Sequence, residues 1–138
     1  MQSISPNKPS KKSLWTGRIM TGIPILFLLA DGVAKLFKPA PVIEGTVKLG
    51  YQESVIVPLG IVLLACTILY ALPRTSVLGA ILLTGYLGGA VVTHVRVGDP
   101  LFSHVLFPTY FGILIWGGLY LRDERVRNLI PLRNRQED

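Results

Sequence analysis

PRTSVLGAILLTGYLGGAVVTHVRVGDPLFSHVLFP (residues 73–108) contains a run, residues 76–95, of about twenty residues without a formal charge. As a helix with a rise of about 1.5 Å per residue, this run is long enough to cross a hydrocarbon core of about 30 Å. Its four glycines would be costly in a soluble helix but are frequent in membrane helices. The run ends beside both histidines of the chain, His94 and His104. The pattern therefore predicts a membrane helix that brings both histidines to one membrane surface.

Three other apolar segments repeat this pattern and predict further spans near residues 15–37, 54–72 and 104–121, with the central one at 76–96. Half of the 138 residues are hydrophobic, and the mean hydropathy is +0.50. The second and third spans are joined only by Pro73, Arg74 and Thr75, so they must form an antiparallel hairpin. The predicted fold is all-α, a polytopic membrane protein with an antiparallel bundle of four transmembrane helices.

Charge is concentrated at the two ends of the chain. Residues 1–14 form a polar, basic leader that we expect to be disordered, 15–133 form the membrane domain, and 134–138 form a charged tail. The alternative for the leader and first span is a cleaved signal peptide. The formal charge of +6 fits membrane topology better than nucleic-acid binding, because the basic residues flank apolar spans. Nine basic residues lie on the side of the termini and three in the opposite loops, which predicts an inner-membrane protein with both termini cytoplasmic.

Two helix faces are predicted to pack against neighbouring helices. On the first span, small and kinked positions share one face with Asp31 and Lys35 at 100° per residue: Gly17, Thr21, Pro24 and Leu28. On the third span, Gly85 and Gly89 form a GxxxG pattern. Such a pattern allows close backbone approach, either as a seam inside the bundle or as the face of a homo-oligomer, and we expect the seam.

Asp31 lies on the interior face of the first span, where an unpaired carboxylate would be costly. Its partner is either Lys35, one turn later, or Arg96 arriving from the third span. Arg96 has the longer reach and a planar guanidinium, so we expect an Asp31–Arg96 tie between helices.

Three segments closely resemble the DoxX-like family of small four-helix membrane proteins: FLLADGVAKLFKP (27–39), PRTSVLGAILLTGYLGGAVVTHVRVGDPLF (73–102) and IWGGLYLRDERVRNLIPLR (115–133). The resemblance extends over residues 15–133 and implies the four-helix fold. Some members resemble the small membrane subunit of a thiosulfate:quinone oxidoreductase, others look like membrane chaperones, and most have no assigned activity.

Ionisable and aromatic side chains gather at the predicted outer end of the bundle. A pocket that is apolar in its depth and polar at its mouth is the usual form of a small-molecule site. The candidate residues are Asp31, Lys35, Tyr86, His94, Arg96, Asp99 and His104. The two histidines are candidates for proton exchange, against the simpler interpretation of hydrogen-bonded residues at the interface. A bis-histidine haem or a divalent metal is conceivable, but the spacing is diagnostic of neither.

Two functions stay open at this stage. The first is a non-catalytic module that binds lipid or supports a membrane protein partner, and the absence of a recognisable catalytic motif favours it. The second is an accessory subunit of an oxidoreductase that binds quinone. Cys66 is the only cysteine, so intrachain disulfides and multi-cysteine metal or iron–sulfur sites are excluded. Electrons would therefore have to come from a partner protein.

Overall fold

The computed structural model describes residues 10–130, and these form six α-helices without a β-strand. The helices are α1 (Lys11–Phe37), α2 (Ala40–Lys48), α3 (Ile56–Ala71), α4 (Ser76–Arg96), α5 (Phe107–Arg122) and α6 (Glu124–Leu129). A 3₁₀ turn (Glu53–Val55) precedes α3, and a π-helical turn (Leu101–Val105) precedes α5. Four segments are long and apolar enough to cross a membrane: Lys11–Phe37, Glu53–Ala71, Ser76–Arg96 and Leu101–Arg122. The prediction of an all-α polytopic bundle with four spans is confirmed.

The bounds differ from prediction at two ends. Helix α1 begins at Lys11, where the Ser10 hydroxyl accepts a hydrogen bond from the Ser13 amide at 3.2 Å. The last residues of the predicted leader are therefore helical, because an N-cap extends the helix beyond the apolar run. The rest of the leader and the charged tail lie outside the described residues. The fourth span begins at Leu101 instead of residue 104, so His104 lies in the π-helical turn.

The four long helices form a ring in which α1 packs against α3 and α5, and α4 packs against the same two helices. Helices α1 and α4 are therefore diagonal to each other. The core between them includes Leu63, Tyr70, Leu83, Ile115 and Leu119, all with at most 1% of their surface exposed. The predicted packing face of α1 is confirmed, since each of its four small or kinked positions is buried.

The α3–α4 hairpin is fastened by hydroxyl groups at its turn. The Ser76 hydroxyl donates to the carbonyls of Tyr70 and Leu72 at 2.9 and 2.8 Å, and the Thr75 hydroxyl donates to Leu69 at 2.7 Å. The start of α4 has no side-chain cap from these hydroxyls. They satisfy carbonyls at the end of α3 instead, which such an end leaves without helical partners.

The expected glycine seam on α4 is wrong. A β-carbon built at Gly85 or Gly89 meets no atom within 4 Å, so this face opens outward. The close approach occurs at Gly79, where a β-carbon would lie 2.2 Å from the Tyr70 backbone nitrogen. The physical reason is the short connection after α3, which forces α3 and α4 together near the turn and not at mid-span.

Tyr70 is the largest fully buried side chain of the bundle in the part of the chain that the structure describes. Its hydroxyl donates to the Ile115 carbonyl at 3.1 Å and lies 3.4 Å from the Thr21 hydroxyl. Burying an aromatic ring is favourable when its polar tip finds a partner in this way.

Candidate functional site

We call the end of the bundle where α4 ends and α5 begins the histidine end. Helix α4 stops after Arg96, and Gly98 adopts a positive φ of 74° that turns the chain back. This turn places Asp99 beside His94, whose Nδ1 lies 2.6 Å from Asp99 Oδ2. Both side chains are partly exposed, at 22% and 24%. The pair therefore ties the last turn of α4 to the loop that follows it.

His104 joins this pair from the π-helical turn. Its ring centroid lies 5.9 Å from that of His94, in an edge-to-face arrangement. Its Nδ1 lies 2.8 Å from the hydroxyl of Ser103. The structure therefore brings His94, Asp99 and His104 together as one cluster, which we call the histidine cluster.

The charge state of Asp99 follows from these contacts. The hydrogen bond with His94 lowers the pKa of the Asp99 carboxyl below its ordinary value of 3.8, and the positive charge of Lys48 acts in the same direction. Asp99 is therefore ionised at neutral pH. An ionised carboxylate can only accept hydrogen bonds.

Arg96 is occupied elsewhere. Its Nη2 donates to the Leu49 carbonyl at 2.8 Å, and its guanidinium lies 6.0 Å from the centre of the Tyr51 ring. The Tyr51 hydroxyl lies 2.7 Å from that of Thr93, which in turn donates to the Gly89 carbonyl. These contacts hold the loop after α2 against the end of α4.

The expected Asp31–Arg96 tie is wrong, because Asp31 pairs with Lys35 in its own helix at 2.5 Å. The two residues are one turn apart on α1, so they can pair whatever the positions of the neighbouring helices. Within residues 10–130, no hydrogen bond or ion pair links this pair to Arg96 or to the histidine cluster. Tyr86 is partly buried and packs against the hydrophobic core. The seven candidate residues thus form separate groups, and their role toward a ligand stays a prediction.

A groove between α4 and α5 was not anticipated from the sequence. It has a volume of about 380 Å³, and its walls include Thr84, Gly88 and Val91 on α4 with Pro108, Gly112 and Trp116 on α5. A β-carbon at Gly88 or Gly112 meets no atom within 4 Å, so these glycines keep the groove open. At the end away from the histidines, the Trp116 indole donates to the Thr84 hydroxyl at 2.8 Å.

The groove leads toward the histidine cluster. Val91 lies three residues before His94, a separation of about 4.5 Å along a helix axis. On the opposite wall, Pro108 lies four residues after His104. Both walls of the groove thus come within about one helical turn of a histidine in the chain, although neither histidine lines the groove itself. Small residues facing each other on α4 and α5 are the sequence signal that could have indicated it.

A buried arginine, Arg122, lies at the opposite end of the bundle. The Nε and Nη2 atoms of Arg122 are buried and have no hydrogen-bond partner within residues 10–130. The stem of Arg122 covers Gly17, where a β-carbon would lie 2.7 Å from Arg122 Cγ. We assign Arg122 a structural role in the packing of α5 on α1. The described residues contain no group of three or more His, Cys, Asp or Glu side chains that could hold a metal ion.

The comparison with protein families agrees with this architecture. The model of the DoxX-like family matches residues 19–118, which is more than half of the chain. The protein is thus an integral membrane protein with four spans, and it belongs to the DoxX-like family. No curated protein and no solved structure matches the chain significantly.

Proposed function

We propose that this protein is a non-catalytic membrane module that binds a lipid-soluble amphiphile in the α4–α5 groove. The observation that carries the proposal is the apolar groove between two membrane-spanning helices, whose α4 wall reaches Val91, about one helical turn before His94. Ligand sites commonly combine an apolar cleft with a few placed polar groups. An alkyl or isoprenoid tail suits the groove, and a polar head suits the histidine cluster.

The head group would meet hydrogen-bonding atoms that the fold leaves available. Both histidines use Nδ1 for contacts with Asp99 and Ser103. Neither Nε2 atom has a hydrogen-bond partner within residues 10–130, and that of His94 is not fully buried. These two nitrogens can therefore receive a ligand without breaking a contact of the fold.

A second candidate function is that of a quinone-binding accessory subunit of an oxidoreductase. The apolar groove favours it as a slot for the tail of a quinone, and His104 is a candidate hydrogen-bond donor to one of the quinone carbonyls. In this case the protein would present quinone to a membrane protein partner that supplies the electrons. Both candidates use the same groove, and they differ in whether a redox partner is attached.

The orientation that accompanies this proposal places both termini in the cytoplasm of a cell with an inner membrane. The excess of basic residues on the side of the termini supports it. The histidine cluster would then face outward. Labelling of a single cysteine introduced at position 74, in a Cys66→Ala background, tests the orientation: labelling from outside intact cells would contradict it.

Trp116 provides a direct test of groove binding, because it lies in the groove wall and Trp15 is the only other tryptophan. In a Trp15→Phe variant in nanodiscs, decylbenzoquinone should quench Trp116 fluorescence in a saturable manner. Gly88→Leu fills the groove and should abolish the saturable component. Gly85→Leu is the matched control, since Gly85 lies on the same helix, is equally open, and does not line the groove. Equal quenching in both variants would show that the quencher acts from bulk lipid and would overturn the proposal.

A further inference from the structure

We infer that the histidine cluster selects amphiphiles whose head group carries a hydroxyl, and that Asp99 sets this preference by fixing the tautomer of His94. The inference rests on the proposed function, because it concerns the polar end of the α4–α5 groove. It adds the chemical class of the head group and a positioning residue that acts through His94.

The tautomer follows from the contact between His94 and Asp99. An ionised carboxylate has no proton to donate, so at 2.6 Å the proton between the two groups belongs to His94 Nδ1. In a neutral imidazole with a proton on Nδ1, the other nitrogen carries a lone pair and accepts. In the neutral form of His94, Nε2 is therefore a hydrogen-bond acceptor, and it pairs with a donor on the ligand.

A hydroxyl is the head group that matches this acceptor. It can donate to His94 Nε2 and still accept a hydrogen bond from a neighbour such as His104. A quinone carbonyl or an ether oxygen can only accept, so it leaves His94 Nε2 without a partner. Hydroquinones, phenols and alcohols thus fit the cluster better than their oxidised or methylated counterparts.

The preference depends on the protonation state of His94. The charged and titratable groups that face it are Asp99 and His104, with Lys48 acting on Asp99 from α2. Arg96 lies near in sequence, but its guanidinium is bound to the Leu49 carbonyl. In the doubly protonated form of His94, Nε2 is a donor, and the advantage of a hydroxyl over an ether disappears.

Competition between two matched probes tests the inference. In the Trp15→Phe protein in nanodiscs, 4-decylphenol and 4-decylanisole are titrated against decylbenzoquinone, with Trp116 fluorescence as readout and each probe corrected for partition into empty nanodiscs. The two probes share a tail and ring and differ in one hydrogen-bond donor. One additional hydrogen bond predicts about three- to tenfold stronger displacement by the phenol.

Asp99→Ala should reduce the ratio of displacement by the phenol to displacement by the anisole toward one, because the His94 tautomer is then no longer fixed. Glu44→Ala is the matched control, since Glu44 is a carboxylate on α2 at the same end but makes no hydrogen bond or ion pair with the histidines in the structure, and it should keep the ratio. Equal displacement by both probes in the otherwise unchanged protein would overturn the inference while leaving groove binding intact. Displacement by neither probe, together with unsaturable quenching, would overturn the proposed function itself. If Asp99→Ala kept the full preference for 4-decylphenol over 4-decylanisole, the role assigned to Asp99 would be wrong.

Discussion

Gly79→Ala should destabilise the bundle, because α3 and α4 touch through backbone atoms at this position. The added β-carbon would lie 2.2 Å from the Tyr70 nitrogen and 2.5 Å from its Cα, whereas ordinary contact begins at 3.4 Å. The helices would have to separate by about 1 Å, and the short hairpin connection opposes this movement. Overpacking of this kind costs about 1–3 kcal/mol. The better helix propensity of alanine returns up to about 1 kcal/mol, so a net loss remains.

The matched control is Gly85→Ala, which makes the same change on the same helix at an open position. It should leave the melting temperature unchanged or raise it slightly. The assay is thermal unfolding in detergent, followed by size-exclusion chromatography with both variants treated identically. Equal melting temperatures for Gly79→Ala and the unchanged protein would refute the close crossing at the hairpin. A larger decrease in melting temperature for Gly85→Ala than for Gly79→Ala would support the packing of Gly85 and Gly89 against a neighbouring helix, which the structure contradicts.

Two further predictions concern ionised groups at the histidine end. A double-mutant cycle on Asp31→Asn and Lys35→Gln, measured by the same unfolding assay, should give a coupling energy of about 0.3–0.5 kcal/mol or more. A cycle on Asp31→Asn and Arg96→Gln should give no coupling energy. Coupling only in the second cycle would contradict the assigned ion pair. Acidification should loosen the turn after α4. The hydrogen bond with His94 lowers the pKa of Asp99 in the folded protein. The stabilisation by ionised Asp99 is therefore fully present above the ordinary pKa of 3.8 and is lost as the pH falls through the lower pKa of the folded state. Hydrogen exchange of the amides of residues 97–99 should therefore show falling protection only in the acidic range, and protection that falls between neutral and mildly acidic pH would contradict this assignment.

Most of the architecture was predictable from sequence because lipid imposes strict requirements on a chain. A span must be a helix of about twenty apolar residues, and this rule identified all four. The bounds of α4 were predicted correctly as 76–96, since a proline turn precedes it and Gly98 follows it. The first span was placed four residues late, because an N-cap at Ser10 extends a helix without adding hydropathy.

The packing of the glycines was less predictable for a physical reason. A GxxxG pattern shows that a backbone could approach closely, but it does not state which face of α4 the neighbours occupy. In the structure the connection after α3 decides this, and Gly79 takes the contact instead of Gly85 and Gly89. Counting residues in the turn would have indicated this crossing more reliably than the glycine pattern.

The candidate site was predictable as a region but not as a set of contacts. Sequence placed both histidines and Asp99 at one end of the bundle, and the structure brings these three together. It did not reveal that Arg96 turns to the loop after α2, because that depends on the path of a long connection. The α4–α5 groove was also missed, since it arises where small residues on two helices face each other across a loosely packed side of the ring.

The central claim is that the α4–α5 groove holds an amphiphile, and mass spectrometry of the molecules retained after gentle detergent purification tests it most directly. The unchanged protein and Gly85→Leu should retain the same amphiphile at close to one per chain, and Gly88→Leu should lose it. Retention of the same molecule at the same level in Gly88→Leu, or no retained amphiphile in any of the three proteins, would contradict the account.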